Sequence, residues 1–330
     1  MGTILKNHPP FHPATGLVNR HVQTLTPVFL GKFKKIFYKR QELILPDGDF
    51  VDLDWLSMPD SDTEKPILIV FHGLEGSSQS HYVKSLMHAV ENKNWHAVVM
   101  NFRSCSGRQN RQARMYHSGE TEDAGFLVDW IKKQFPSAPL FAVGYSLGGN
   151  MLLKLAGEQG EVLALKAMVA VSAPVKLNES TQYMVQGLSR FYQSHLLKSL
   201  KHKMLEKYSQ HDYKSMIDLN RSDIANCKDI RQFDDMFTSR MHGFDGAEDY
   251  YARCSAYTFI ERITKPCLII HADDDPIAPS SILPTESSLP ESVLLEVYPK
   301  GGHVGFLGGS IFSPNYWLAE RMITYLEHFQ

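Results

Sequence analysis

The sequence predicts an α/β fold, a mostly parallel sheet with helices on both faces. Three observations predict it. Short apolar runs recur along the chain: "ILIVFH" (67–72), "HAVVMN" (96–101), "LFAVG" (140–144), "KAMVAVSAP" (166–174) and "CLIIH" (267–271). Such runs suit central parallel strands, which are covered on both sides. Helical patterns separate the earlier runs, as in βαβ units. Glycine, serine or aspartate clusters follow several of them, at the strand ends where open α/β sheets bind ligands.

Each element follows in order. Residues 1–40 are mixed and aromatic, with basic residues gathered between Lys32 and Arg40, and look like an arm wrapped on the body. "ELILPDGDFVDLDWL" (42–56) has two alternating runs around Pro46-Asp47-Gly48, which predicts a β-hairpin. The strand at 67–72 leads to a helix over 82–92 and a strand at 96–101. "GETEDAGFLVDWIKKQF" (119–135) predicts a helix whose acidic start and lysine-rich end match the helix dipole. Then come the strand at 140–144, a helix in "LGGNMLLKLAGE" (147–158) and the strand at 166–174. From 175 to 260 no convincing apolar strand appears, and the segment is helical, aromatic and charged. An insertion there is well placed to be a lid. The sheet resumes at 267–271 and at "LLEVYP" (294–299), and a last helix is expected to begin near Pro314 and end by His328. The expected organisation is an arm (1–40), a core (41–174 and 261–330) and a helical lid or cap (175–260).

Composition narrows the function. A chain of 330 residues can bury a large core. Its 34 basic and 36 acidic residues give a net charge of −2, which makes no electrostatic case for nucleic acid or an acidic membrane surface. No apolar run approaches the roughly 20 residues of a membrane span, and no secretory signal opens the chain. Stable membrane insertion is not expected, and a cytoplasmic location is. Cys105, Cys227, Cys254 and Cys267 are widely spaced without a C-x-x-C pair, so neither a disulfide framework nor a zinc ribbon is expected. The composition leaves the oligomeric state open.

Chemistry enters at Gly144-Tyr145-Ser146-Leu147-Gly148. A glycine-bracketed serine between a strand and a helix has the context of a nucleophile elbow. The glycines remove side chains that would collide where strand folds back on helix. A serine hydroxyl needs a base, and the base needs a carboxylate to orient it. Both types follow in order, each after its own strand. Ala272-Asp273-Asp274-Asp275-Pro276 follows "CLIIH", and Lys300-Gly301-Gly302-His303 follows "LLEVYP". We favour Asp275 as the acid, with Asp274 the alternative, and His303 as the base. The developing oxyanion needs two donors. They are expected to be the Leu147 N–H and the Leu74 N–H, the latter from the His72-Gly73-Leu74-Glu75 loop. Cys105 reads as a packed loop cysteine, and the acid triplet brings no spacing of metal ligands with it. The basic stretch at 198–207 reads as a solvated face, with membrane contact the lesser reading.

With these residues located, the chain resembles the α/β-hydrolase superfamily, and within it the YheT-like candidate esterases (AB hydrolase family four). The resemblance runs from about Arg20 to near the C-terminus through "RHVQT", "LPDGDFVDL", "FHGLEGS", "YHSGETEDA", "AVGYSLGGNML", "VSAP", "FDD" with "DYYARCSA", "LIIHADDDP" and "GGHVGF". It implies an eight-stranded sheet with a helical insertion, a Ser146–His303–Asp275 triad, and carboxylester hydrolysis through an acyl-enzyme without a cofactor. In "NFRSCSG" the chain departs from the family, which usually has glycine in place of Ser104. The expected substrate is a small-molecule ester with a short- to medium-chain acyl group. A thioesterase, phospholipase or acyltransferase would use the same triad, and a non-catalytic binding protein the same fold.

Overall fold

The computed structural model describes residues 9–30, 35–310 and 313–330. The remainder of the expected arm, 1–8 and 31–34 with Lys32, lies outside the described residues. Eight strands form one sheet in the order β1-β2-β4-β3-β5-β6-β7-β8. The hairpin expected around Gly48 is β1 (Lys39–Ile44) and β2 (Phe50–Trp55), and β2 pairs antiparallel with β4 (His96–Asn101). All further pairings are parallel, through β3 (Ile67–Phe71), β5 (Leu140–Tyr145), β6 (Ala167–Val171), β7 (Cys267–Ala272) and β8 (Val293–Tyr298).

Every residue of β3, β5, β6 and β7 is buried, as continuous apolar runs require. Side chains alternate between two cores. Ile67, Ile69 and Phe71 pack with Leu127, Ile131 and Met151 from α3 (Thr121–Gln134) and α4 (Leu147–Gln159). Leu68 and Val70 pack with Val83, Leu86, Leu318 and Met322 from α2 (His81–Asn92) and α12 (Trp317–Glu327). The parallel register sets Phe71 beside Gly144, Tyr145 beside Val171 and Ala272 beside Tyr298, so the loops after these strands open on one edge.

Between β6 and β7 the chain is helical: α5 (Leu177–Met184), α6 (Ser189–Lys207), α7 (Tyr213–Ile217), α8 (Arg221–Asn226), α9 (Ile230–Phe233), a π turn (Asp234–Thr238), α10 (Ser239–Met241) and α11 (Ala247–Cys254). Leu197, Leu200, Met204, Tyr213, Phe233 and Phe237 give it a core of its own. Ahead of the sheet lies α1 (Arg20–Leu30). Among the described residues no helix is long and apolar enough to cross a membrane.

The start of the last helix differs from expectation. Pro314 does not start the last helix. Pro314–Tyr316 forms β10 against β9 (Leu307–Gly309), which gives its backbone ladder partners, and the helix starts at Trp317.

Candidate active site

The local sequence forces the turn between β5 and α4. A Cβ on Gly144 would run into the Gly148 carbonyl oxygen, and one on Gly148 would lie 2.5 Å from the Phe71 and His72 carbonyl oxygens. With strand, helix and neighbouring strand that close, Ser146 is left at φ +50°, ψ −118°. A non-glycine residue held there costs about 1–3 kcal/mol, which the surroundings must offset. The Ser146 N–H donates to Val171 O at 2.8 Å, and its carbonyl accepts from Asn150 N at 3.0 Å. Asn150 is buried and donates to Ser118 O and Cys254 O while accepting from Ala256 N, which pins the first turn of α4.

The loop after β3 lies against this turn: a Cβ on Gly73 would be 3.2 Å from Ser146 Cβ. His72 shapes the loop. Burial lowers its pKa to about 3, so the ring is neutral. Its Nε2 accepts from Phe102 N at 3.1 Å, which leaves the proton on Nδ1 to donate to Gly73 O at 2.7 Å. Among the described residues neither the Leu74 N–H nor the Leu147 N–H donates to a protein acceptor. Glu75 follows at φ +57°. Its carboxylate accepts from Tyr116 Oη at 2.8 Å, from Lys203 Nζ at 3.0 Å and from Ser199 Oγ, which ties the loop to α6. Sequence reasoning missed this latch, because no local pattern pairs Glu75 with a lysine 128 positions away. Lys203 also donates to Cys105 Sγ at 3.2 Å, while burial pushes that thiol up to about 11 and leaves it protonated.

The loops after β7 and β8 bring the acid and the imidazole together. Asp275 is buried, and its Oδ1 accepts from the backbone N–H groups of Ile277 (2.8 Å) and Ala278 (3.0 Å). Its Oδ2 lies 2.8 Å from His303 Nδ1. A carboxylate at Nδ1 fixes the proton there and leaves the lone pair on Nε2. Asp274 turns elsewhere, accepting from Gly302 N at 3.0 Å with Lys300 at 3.6 Å.

Helix α1 braces the histidine loop. The His303 N–H donates to Thr24 Oγ1 at 2.9 Å, and the Leu307 N–H donates to Gln23 Oε1 at 2.8 Å. Gln23 Nε2 returns bonds to Leu17 O and Leu307 O. Val304, at φ +57°, donates its N–H to Ser172 Oγ at 3.2 Å. Gln23 and Thr24 lie in "RHVQT", the one sequence signal that could have found them.

Ser146, Leu147, Leu74 and His303 line one cavity of about 680 Å³, within the roughly 300–1,000 Å³ of small-molecule sites. Its walls include Met115, Met184, Leu200, Phe233 and Phe237. Among the described residues no hydrogen bond joins Ser146 Oγ to His303; the two meet as walls of this cavity, and such contacts often tighten only with substrate bound. His81, also a wall, is neutral because burial lowers its pKa to about 4. Asp234 lines the cavity too, and burial raises its carboxyl to about 7. It accepts from Thr238 Oγ1 and Tyr251 Oη, each at 2.8 Å.

His117, Glu120 and His242 bring possible ligand atoms within 4.8 Å of one another. Arg114 Nη2 donates to Glu120 at 3.1 Å, so a guanidinium already offsets the charge of that carboxylate.

Residues 66–310 match the family model of the alpha/beta hydrolase fold. The chain is 45% identical to YheT of Escherichia coli (strain K12), named as a candidate esterase, over 96% of this chain and 94% of that one. It is 31% identical to the monoacylglycerol lipase of Saccharomyces cerevisiae, over 94% of this chain and 67% of that one. Among solved structures, the Pyrococcus furiosus esterase Pf2001 superposes with a TM-score of 0.57 at 17% identity, over 92% and 93% of the two chains, a likeness of fold.

Proposed function

The chain is a YheT-like member of the alpha/beta hydrolase family, and we propose that it cleaves carboxylic esters with Ser146 as nucleophile, His303 as general base and acid, and Asp275 as the group that orients His303. One observation carries this reading: a strained serine and an imidazole paired at 2.8 Å with a buried aspartate face one apolar cavity.

His303 Nε2 takes the Ser146 proton as Oγ attacks the ester carbonyl carbon. The carbonyl oxygen becomes an oxyanion and receives the Leu74 and Leu147 N–H groups. Each such donor is worth about 10²–10³ in rate. Collapse breaks the bond to the alcohol oxygen, which leaves with the proton from His303. Water then gives a proton to His303, attacks the acyl carbon and releases the acid, and Ser146 recovers its proton. The helices between β6 and β7 act as a cap over the acyl group. A short- to medium-chain acyl group suits the apolar walls, and the lipase among the relatives supports a glycerol ester as the alcohol part.

A p-nitrophenyl ester series of rising chain length tests the reading. We expect turnover with a maximum at short to medium acyl length, and its loss by about 10⁴-fold or more in Ser146→Ala. Equal turnover by wild type and Ser146→Ala would refute it.

A further inference from the structure

Helix α1 is inside out. Its buried face carries Gln23 and Thr24, while Val22, Leu25, Val28 and Phe29 face solvent, Phe29 being 78% exposed. Their three- and four-residue spacing gathers them on one side of the helix. The junction of α5 and α6 does the same with Val185, Leu188 and Phe191, the last 74% exposed. Two hydrogen bonds join these regions, Arg20 Nη1 to Tyr183 Oη at 2.8 Å and His21 Nδ1 with Tyr192 Oη at 3.0 Å. Leu25, Val28, Phe29, Leu188 and Phe191 also line the cavity that holds Ser146 and His303. The exposed apolar rim and the cavity wall therefore share these five side chains.

The two segments that form the rim carry cations and no carboxylate of their own, although Asp274 acts on His21 from the loop after β7. No Asp or Glu occurs before Glu42, and none between Glu179 and Glu206, although the whole chain is slightly acidic. Arg20 opens α1, and exposed Arg190 and Lys198 lie on α6. A second copy of this chain meeting the rim face to face would set cations against cations. A surface that is apolar within and anionic at its headgroups complements both features.

We propose that the rim formed by α1 and the α5–α6 junction docks on anionic lipid surfaces, from which the acyl chain of a lipid ester enters the cavity. The passage of substrate rests on the esterase reading; the docking does not. Full-length protein carrying Ser146→Ala separates the two, because its binding needs no turnover. It is expected to co-sediment with vesicles of phosphatidylcholine mixed with phosphatidylglycerol, less with phosphatidylcholine alone, and less at high salt. Val22→Asp with Val185→Asp, on the rim but outside the cavity lining, is expected to weaken binding by about tenfold or more. In the otherwise wild-type chain, the same pair is expected to leave hydrolysis of a soluble p-nitrophenyl ester unchanged. Absence of vesicle binding, binding that the pair does not weaken, or a dimer that the pair dissociates would overturn the proposal. Binding as described in a protein that hydrolyses no ester would uphold the docking and overturn the esterase reading.

Discussion

The turn at Ser146 and the loop at His303 present their side chains to the same cavity but are held in different ways. The turn is held by its own neighbourhood: glycines at 144 and 148 let β5, α4 and β3 approach, and Ser146 bonds to the adjacent strand. The histidine loop has positive φ at Val304 and Phe306 and depends on side chains far away in sequence, Thr24, Gln23 and Ser172. Each such strain costs about 1–3 kcal/mol, and each bracing hydrogen bond returns about 0.5–1.5 kcal/mol. His303 is thus the part of the site most exposed to distant change.

The sharpest break comes inside the acid triplet. Asp275→Asn is expected to lower kcat for a p-nitrophenyl ester by about 10⁴-fold, because the amide no longer fixes the imidazole tautomer. Asp274→Asn, which keeps an oxygen for Gly302 N, should stay within about threefold of wild type. Equal losses in the two would dissolve the distinction. Next in size, Thr24→Val removes the brace on His303 while α1 remains packed. A fall in kcat of about tenfold with little change in KM is expected, and Thr24→Ser should restore it. If Thr24→Val acts only on thermal stability, the loop holds itself and the contrast with the turn at Ser146 is lost.

The smallest effect lies in the insertion. Burial raises the folded pKa of Asp234 to about 7 from 3.8. A proton is therefore bound more tightly in the folded chain. The associated stability is fully present below about pH 4 and lost as pH rises through about 7. Asp234→Asn should flatten that decline in melting temperature, measured from pH 4 to 8. An unchanged slope would show that Asp234 does not titrate across this window.

The sequence makes the buried strands and the turn at Ser146 legible for one reason: their causes are local. Continuous apolar runs allow few conformations, and a serine between glycines at a strand-to-helix junction is a steric statement. The structure sets Asp275, and not Asp274, against His303. Ser104 is legible only in part. The resemblance implies a glycine there, and Ser104 sits at φ +63° with Oγ donating to Asn110 Oδ1 at 2.6 Å. Helix α1 was hidden because reading by periodicity assumes apolar residues face inward, and here the polar side chains do. The net charge of −2 hid the lack of carboxylates in residues 1–41 and 180–205, since a sum carries no positions. The Glu75–Lys203 latch depends on folding alone.

Fluorophosphonate labelling with mass mapping of the adduct tests the central claim most directly. One adduct on the peptide that contains Ser146 is predicted, absent in Ser146→Ala and formed much more slowly in His303→Ala. An adduct on another residue, or labelling that persists in Ser146→Ala, would contradict the account.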